Sequence, residues 1–132
     1  MLAALAAGIV LVLSVRKPVT EAPSAPPAAT GAPGLPRLVD LGAGQCIPCK
    51  MMTPILGELR REQAGKLEVV FIDVWKNPDA GEKYGIRSIP TQVFCDAAGK
   101  EFLRHEGFIP KAEILAAFRK QGIPLSEANP GR

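Results

Sequence analysis

The sequence predicts an α/β domain in which a mixed sheet carries helices on both faces. Two short apolar runs, Arg37–Ala43 and Leu67–Val74, flank a segment with helical spacing. A second helix signal and then two strand-like runs about a tight turn follow, and an amphipathic segment comes last. The order strand, helix, strand, helix, strand, strand, helix describes a parallel pair joined by a crossover, then a hairpin.

Each element has its own signal. "RLVDLGA", Arg37–Ala43, is a short run that after Arg37 is apolar but for Asp40 in its middle, and reads as a buried strand. Cys46–Arg61 reads as a helix, because Met52, Ile55, Leu56 and Leu59 recur on one face. Pro48 falls in its first turn, where a missing N–H costs nothing, whereas Pro54 falls inside it and is expected to kink it. "LEVVFIDV", Leu67–Val74, is β-branched and apolar enough to predict a central strand. Asn77-Pro78 caps and opens a short helix that Gly85 stops. Thr91–Cys95 and Lys100–His105 form a hairpin about Asp96-Ala97-Ala98-Gly99. Pro110–Gln121 is the last helix, with Ile114, Leu115 and Phe118 on one face and Gly122 as its stop.

The chain has 132 residues, 47 % of them hydrophobic, which suits one packed domain. Its net charge is +3 with acidic and basic residues interspersed, so no basic block exists for nucleic acid to use. Three cysteines are too few for a disulfide scaffold. Residues 1–15 are an uncharged apolar run and read as a signal peptide or membrane anchor. Residues 16–36, rich in Pro and Ala, read as a semi-extended linker. The domain is expected over residues 37–124, followed by a polar tail over 125–132. This organisation implies an exported or membrane-anchored protein whose domain faces the periplasmic or extracytoplasmic side.

The chemistry centres on "GQCIPCK", Gly44–Lys50. A structural zinc site needs four ligands, and only Cys95 and His105 stand elsewhere to complete one. Haem attachment needs His after the second cysteine, and Lys50 is there. A redox dithiol is favoured because the pair sits where a strand ends and a helix begins. Unpaired N–H groups and the positive dipole end stabilise a thiolate there. Cys46, at the cap, is the expected exposed nucleophile, and Cys49, one turn in, the buried resolving thiol. Asp40 is a carboxylate in a buried strand, which implies a partner or a role.

"LVDLGAGQCIPCKMMTPIL" together with "NPDAGEKYGIRSIPT" resembles the thioredoxin family, from about Leu38 to Ile123. The resemblance implies a pared-down thioredoxin-like fold with a four-stranded mixed sheet, or five strands if the linker adds an edge. It implies thiol–disulfide exchange through a Cys46–Cys49 disulfide with no further cofactor and no metal. Asp40 would accept the proton of the resolving thiol, and Pro54 matches the kink proline. Pro90 matches the cis-proline loop of the substrate groove, which Ile47, Pro48, Ile89 and Gly107 would also line. Implied partners are disulfide-bearing proteins and an upstream reductant, either thioredoxin reductase or a membrane thiol transporter.

The chain also departs from the family pattern. Gln45 and Gly42 stand where the family has tryptophans, Ile47-Pro48 replaces Gly-Pro, and Phe71 aligns with a lysine that accompanies the buried aspartate. These departures resemble exported members that serve particular clients, such as those of cytochrome c maturation. The dipeptide lacks the His of strongly oxidising members, which favours a reductase. A copper-binding or assembly factor on the same fold is the alternative. Cys95 is expected to be a buried inert thiol, and His105 and Lys50 solvated side chains. Met51 and Met52 are expected to line core or groove. Trp75, the sole tryptophan, is expected either to fill the space beside Gly42 and pack near the dithiol or to stand at the surface in the strand-to-helix loop.

Overall fold

The computed structural model describes residues 34–127. The apolar run of residues 1–15, the linker through residue 33 and the tail from residue 128 lie outside them. Four strands, β1 (Arg37–Gly42), β2 (Glu68–Asp73), β3 (Thr91–Cys95) and β4 (Glu101–Glu106), form one sheet in the order β2-β1-β3-β4. β1 and β2 run parallel, while β1–β3 and β3–β4 are antiparallel. The helices are α1 (Ile47–Glu62), α2 (Pro78–Lys83) and α3 (Lys111–Lys120).

Alternation along β1 divides the core in two. Leu38 and its pleat partner Phe94 face Met52, Leu56 and Leu59 of α1 and Ile114, Leu115 and Phe118 of α3. Phe94, Phe102 and Phe118 stack in this layer, with Phe118 centred 5.3 Å from Phe94 and 5.5 Å, edge-on, from Phe102. Val39, Leu41, Val93 and Cys95 point the other way, against Tyr84 and Ile86 after α2. Helices thus cover both faces of the sheet.

Two sequence expectations need correction. Among the described residues β2 lies at the edge of the sheet, and Phe71 on it is 41 % exposed. An apolar run reports cover above and below a strand, not whether both of its edges are paired. Among the described residues β2 pairs with β1 alone, which puts it at the rim. The packed domain also runs past Pro124, because Leu125 is buried in the α1–α3 core. The fully buried Gln63, at the end of α1, holds that segment. Its Nε2 donates to the Ser126 carbonyl at 3.1 Å and its Oε1 accepts the Ser126 N–H at 3.0 Å.

Candidate active site

β1 ends at Gly42, and a short turn brings Cys46 to the N-cap of α1 in an extended conformation (φ −76°, ψ 125°). An N-cap side chain ordinarily offers oxygen to the first turn. Here Cys46 Sγ takes that place and accepts the Cys49 N–H at 3.3 Å. Cys46 and Cys49 are joined as a disulfide, with their α-carbons 5.2 Å apart. Cys46 is partly buried rather than freely exposed, and Cys49 is buried. No acidic residue occupies the first turn of α1. The positive end of the helix dipole therefore acts on Cys46 unopposed, which stabilises the thiolate when the disulfide is reduced.

The wall facing Cys46 comes from the loop before β3. The Ile89–Pro90 peptide is cis, and Cys46 Sγ lies 3.9 Å from the Ile89 carbonyl oxygen. Gly107 closes the far side, its N–H donating to the Pro90 carbonyl at 2.7 Å. Its φ of +95° is a conformation that suits glycine. The structure thus brings Cys46, Ile89, Pro90 and Gly107 to one place. Ile47, 74 % exposed, and the exposed Pro48 follow Cys46 in the first turn of α1. Met52 joins the core, whereas Met51 is exposed on α1.

Behind the disulfide, Gly42 allows a close approach. A β-carbon there would lie 3.2 Å from both Cys49 Sγ and the Phe71 ring. Phe71, not Trp75, fills the space beside Gly42. Trp75 is 60 % exposed, in the turn after β2. The reason is register: Phe71 lies opposite Asp40 on the face toward α1, while Trp75 falls beyond the end of the strand. Asp73 ties that turn to the dithiol loop, accepting from the N–H of Gly44 at 3.3 Å and of Trp75 at 3.0 Å.

Asp40 sits on the same face as Gly42, two residues back along β1, a separation of about 7 Å. Cys49 therefore lies over the next step of the strand that carries the carboxylate. Asp40 is fully buried. Burial pushes its carboxyl up from 3.8 to about 6, against the opposing pull of the Gln92 hydrogen bond and the Arg60 charge. Gln92 Nε2 donates to Asp40 Oδ1 at 2.7 Å. Sequence reasoning passed over Gln92. The signal was there, since an amide in the otherwise apolar middle of "TQVFC" falls on the face opposite Val93.

The remaining candidates stand apart from this centre. Cys95 is buried on the far face of the sheet, where burial raises its thiol pKa and makes the thiolate scarce. His105 is half-buried, with ring Nε2 3.1 Å from the Phe108 carbonyl. Among the described residues no three His, Cys, Asp or Glu side chains converge as a metal site.

Comparison with known proteins agrees with this geometry. The thioredoxin family model matches residues 33–120. Thioredoxin C-2 of Corynebacterium nephridii is 44 % identical over 89 residues, spanning 67 % of this chain and 80 % of that protein. The thioredoxin of Synechocystis is 36 % identical over 86 residues, spanning 65 % of this chain and 79 % of its own. A crystal structure of chloroplastic thioredoxin z superposes with a TM-score of 0.63 at 35 % identity, over 69 % of this chain and 81 % of that one. The disulfide at the start of α1 is the centre that these relatives would share, and the chain belongs to the thioredoxin family as a thiol–disulfide oxidoreductase.

Proposed function

We propose that the protein works as a reductase of disulfides in cell-envelope clients, with Cys46 as nucleophile, Cys49 as resolving thiol and Asp40 as proton acceptor. The observation that carries this reading is the disulfide at the N-cap of α1, its outer sulfur beside the Ile89–Pro90 loop and its inner one buried over Gly42. In the reduced protein the Cys46 thiolate attacks a client disulfide. A bond forms from Cys46 to one client sulfur, and the other leaves with the electron pair and takes up a proton. Cys49 then gives its proton to Asp40, and its sulfur attacks Cys46 Sγ. The client's second thiolate departs and the Cys46–Cys49 disulfide closes. Two electrons have moved to the client, whose second thiolate takes its proton from solvent as Asp40 releases its own, and an upstream dithiol donor restores the starting state.

The groove supplies the site where a client would bind. Ile47, Pro48, Ile89, Pro90 and Gly107 line it, and their character is apolar. The Ile-Pro dipeptide adds no charge to the thiolate, which supports the reducing direction. Redox equilibration with glutathione is expected to give a potential nearer the ~−270 mV of thioredoxin than the ~−120 mV of strong oxidants. Catalysed reduction of insulin by dithiothreitol is expected alongside. A potential above about −150 mV, or insulin reduction no faster than with dithiothreitol alone, overturns the reading.

The address is supported by sequence: the uncharged run of residues 1–15 followed by the Pro/Ala-rich linker of residues 16–36. Among the described residues no helix is long and apolar enough to cross a membrane. A fusion of residues 1–36 to a compartment-sensitive reporter is expected to carry it across the membrane. Reporter activity confined to the cytoplasm overturns export.

A further inference from the structure

The face of the sheet beneath α1 carries one lateral row of four side chains. Phe71, Asp40, Gln92 and His105 lie side by side on β2, β1, β3 and β4. Phe71 has no donor to offer Asp40. Along β1 itself Leu38 and Gly42 offer no side-chain donor either. Gln92 Nε2, at 2.7 Å from Asp40 Oδ1, is the side-chain donor that reaches it among the described residues.

The two groups share a defect. Asp40 Oδ2 and Gln92 Oε1 are both buried without a hydrogen-bond partner among the described residues. Each orphan belongs to one member of the same bonded pair, and both orphans are acceptors while the carboxyl is ionised. A proton on Oδ2 changes the count. The acid O–H can then donate to Gln92 Oε1 while Gln92 Nε2 still donates to Oδ1. The two groups would close a ring of two hydrogen bonds with every polar atom paired.

We infer that Gln92 is a positioning residue for the proton transfer between Cys49 and Asp40, holding the carboxyl in one orientation in both protonation states. The inference rests on the reading of Asp40 as proton acceptor. In the step, the S–H bond of Cys49 breaks and its electron pair stays on sulfur. An O–H bond forms on Asp40, and the amide receives that hydrogen at Oε1. Loss of the proton to solvent restores the single N–H···O bond and readies the carboxylate for the next turnover. The strand that continues from Pro90 carries Gln92, so the groove wall and the proton acceptor are built on one element.

Among the described residues, other groups that bear on Asp40 are few. From α1 come Cys49 and Arg60, whose Nε donates to the Val69 carbonyl at 3.1 Å. From β4 comes His105, one strand beyond Gln92. From β2 comes Phe71, which does not titrate.

The test follows the Asp40 carboxyl by carbon-13 NMR titration of the oxidised protein, with the pH profile of turnover measured beside it. In Gln92→Met, which keeps length and removes both polar atoms, the hydrogen bond that pulls the Asp40 carboxyl down is lost. The Asp40 midpoint is expected to rise by about one pH unit, a tenfold change in ionisation. In Gln92→Glu two carboxyls share a site, and the pair is expected to titrate in two steps more than about one unit apart. The turnover profile is expected to move with the midpoint. Midpoints that stay put in the variants that fold overturn the inference, and Gln92→Glu decides the matter should Gln92→Met not fold. A profile that flattens in Asp40→Asn but is unmoved in the Gln92 variants overturns the role of Gln92 alone. A profile unmoved in Asp40→Asn as well overturns the proton-acceptor reading, and this inference with it.

Discussion

Serine at position 49 is expected to stop the protein after its first half-reaction. Cys49→Ser leaves Cys46 at the helix N-terminus with its attack on a client disulfide unimpaired. What it removes is the sulfur one turn behind, at the α-carbon distance of 5.2 Å that the disulfide spans. An oriented intramolecular nucleophile reaches effective concentrations on the order of 10⁵ M. Even a small part of that advantage over a millimolar external thiol puts the loss of turnover above about 10³-fold. The variant should accumulate as a mixed disulfide with its clients, visible as a mass shift that dithiothreitol reverses. Cys46→Ser should lose turnover equally and trap nothing, because Cys49 is buried over Gly42 and cannot meet a client. Equal trapping by both single variants would overturn the assigned order. The fold should survive either change, since the sheet, the two cores and the buried Gln63–Ser126 clasp do not involve the disulfide.

Much of this site was legible because it is local. Cys46, Pro48, Cys49 and Pro54 fall on one helix whose period, cap and first-turn proline are written consecutively in the chain. β1 could be read as buried, and Asp40 as anomalous within it, from the seven-residue run Arg37–Ala43 alone. What was not legible depends on lateral register between strands distant in sequence. That β2 lies at the edge among the described residues, and that Phe71 rather than Trp75 meets Gly42, follow from how β2 pairs with β1. Hydrophobicity along β2 cannot express that pairing. Gln92 escaped for the same reason. A glutamine in a strand gains meaning only when the β1–β3 register sets it against Asp40. Phe71, which the family resemblance aligns with a lysine, offers Asp40 no cation from one side. The structure supplies a neutral amide on the other.

That neutral partner is the basis for the second large effect. Asp40→Asn is expected to stabilise the oxidised protein and to slow turnover. Unfolded, the carboxyl ionises at 3.8, and folded, at about 6, because it is buried without a cation in hydrogen-bond contact. Between those values the folded protein holds the extra proton, so stability falls as pH rises through that window and stays low above it. About two units of displacement correspond to roughly 3 kcal/mol of destabilisation at neutral pH. Asparagine carries no charge, keeps the acceptor for Gln92 Nε2 and adds an N–H₂ that can reach the orphaned Gln92 Oε1. Denaturant unfolding should therefore show Asp40→Asn more stable by up to about 3 kcal/mol at pH 8, with the difference fading toward pH 4. The catalytic consequence has the opposite sign. With no base beside it, Cys49 must lose its proton unaided, and general-base contributions are typically about 10²-fold or more. Turnover by wild type should rise with pH through about 6 as Asp40 ionises. In Asp40→Asn that rise should disappear, and the rate near pH 7 should drop by about 10²-fold. A stabilised variant with an unchanged profile from pH 6 to 9 would leave Asp40 a tolerated buried charge with no part in the exchange.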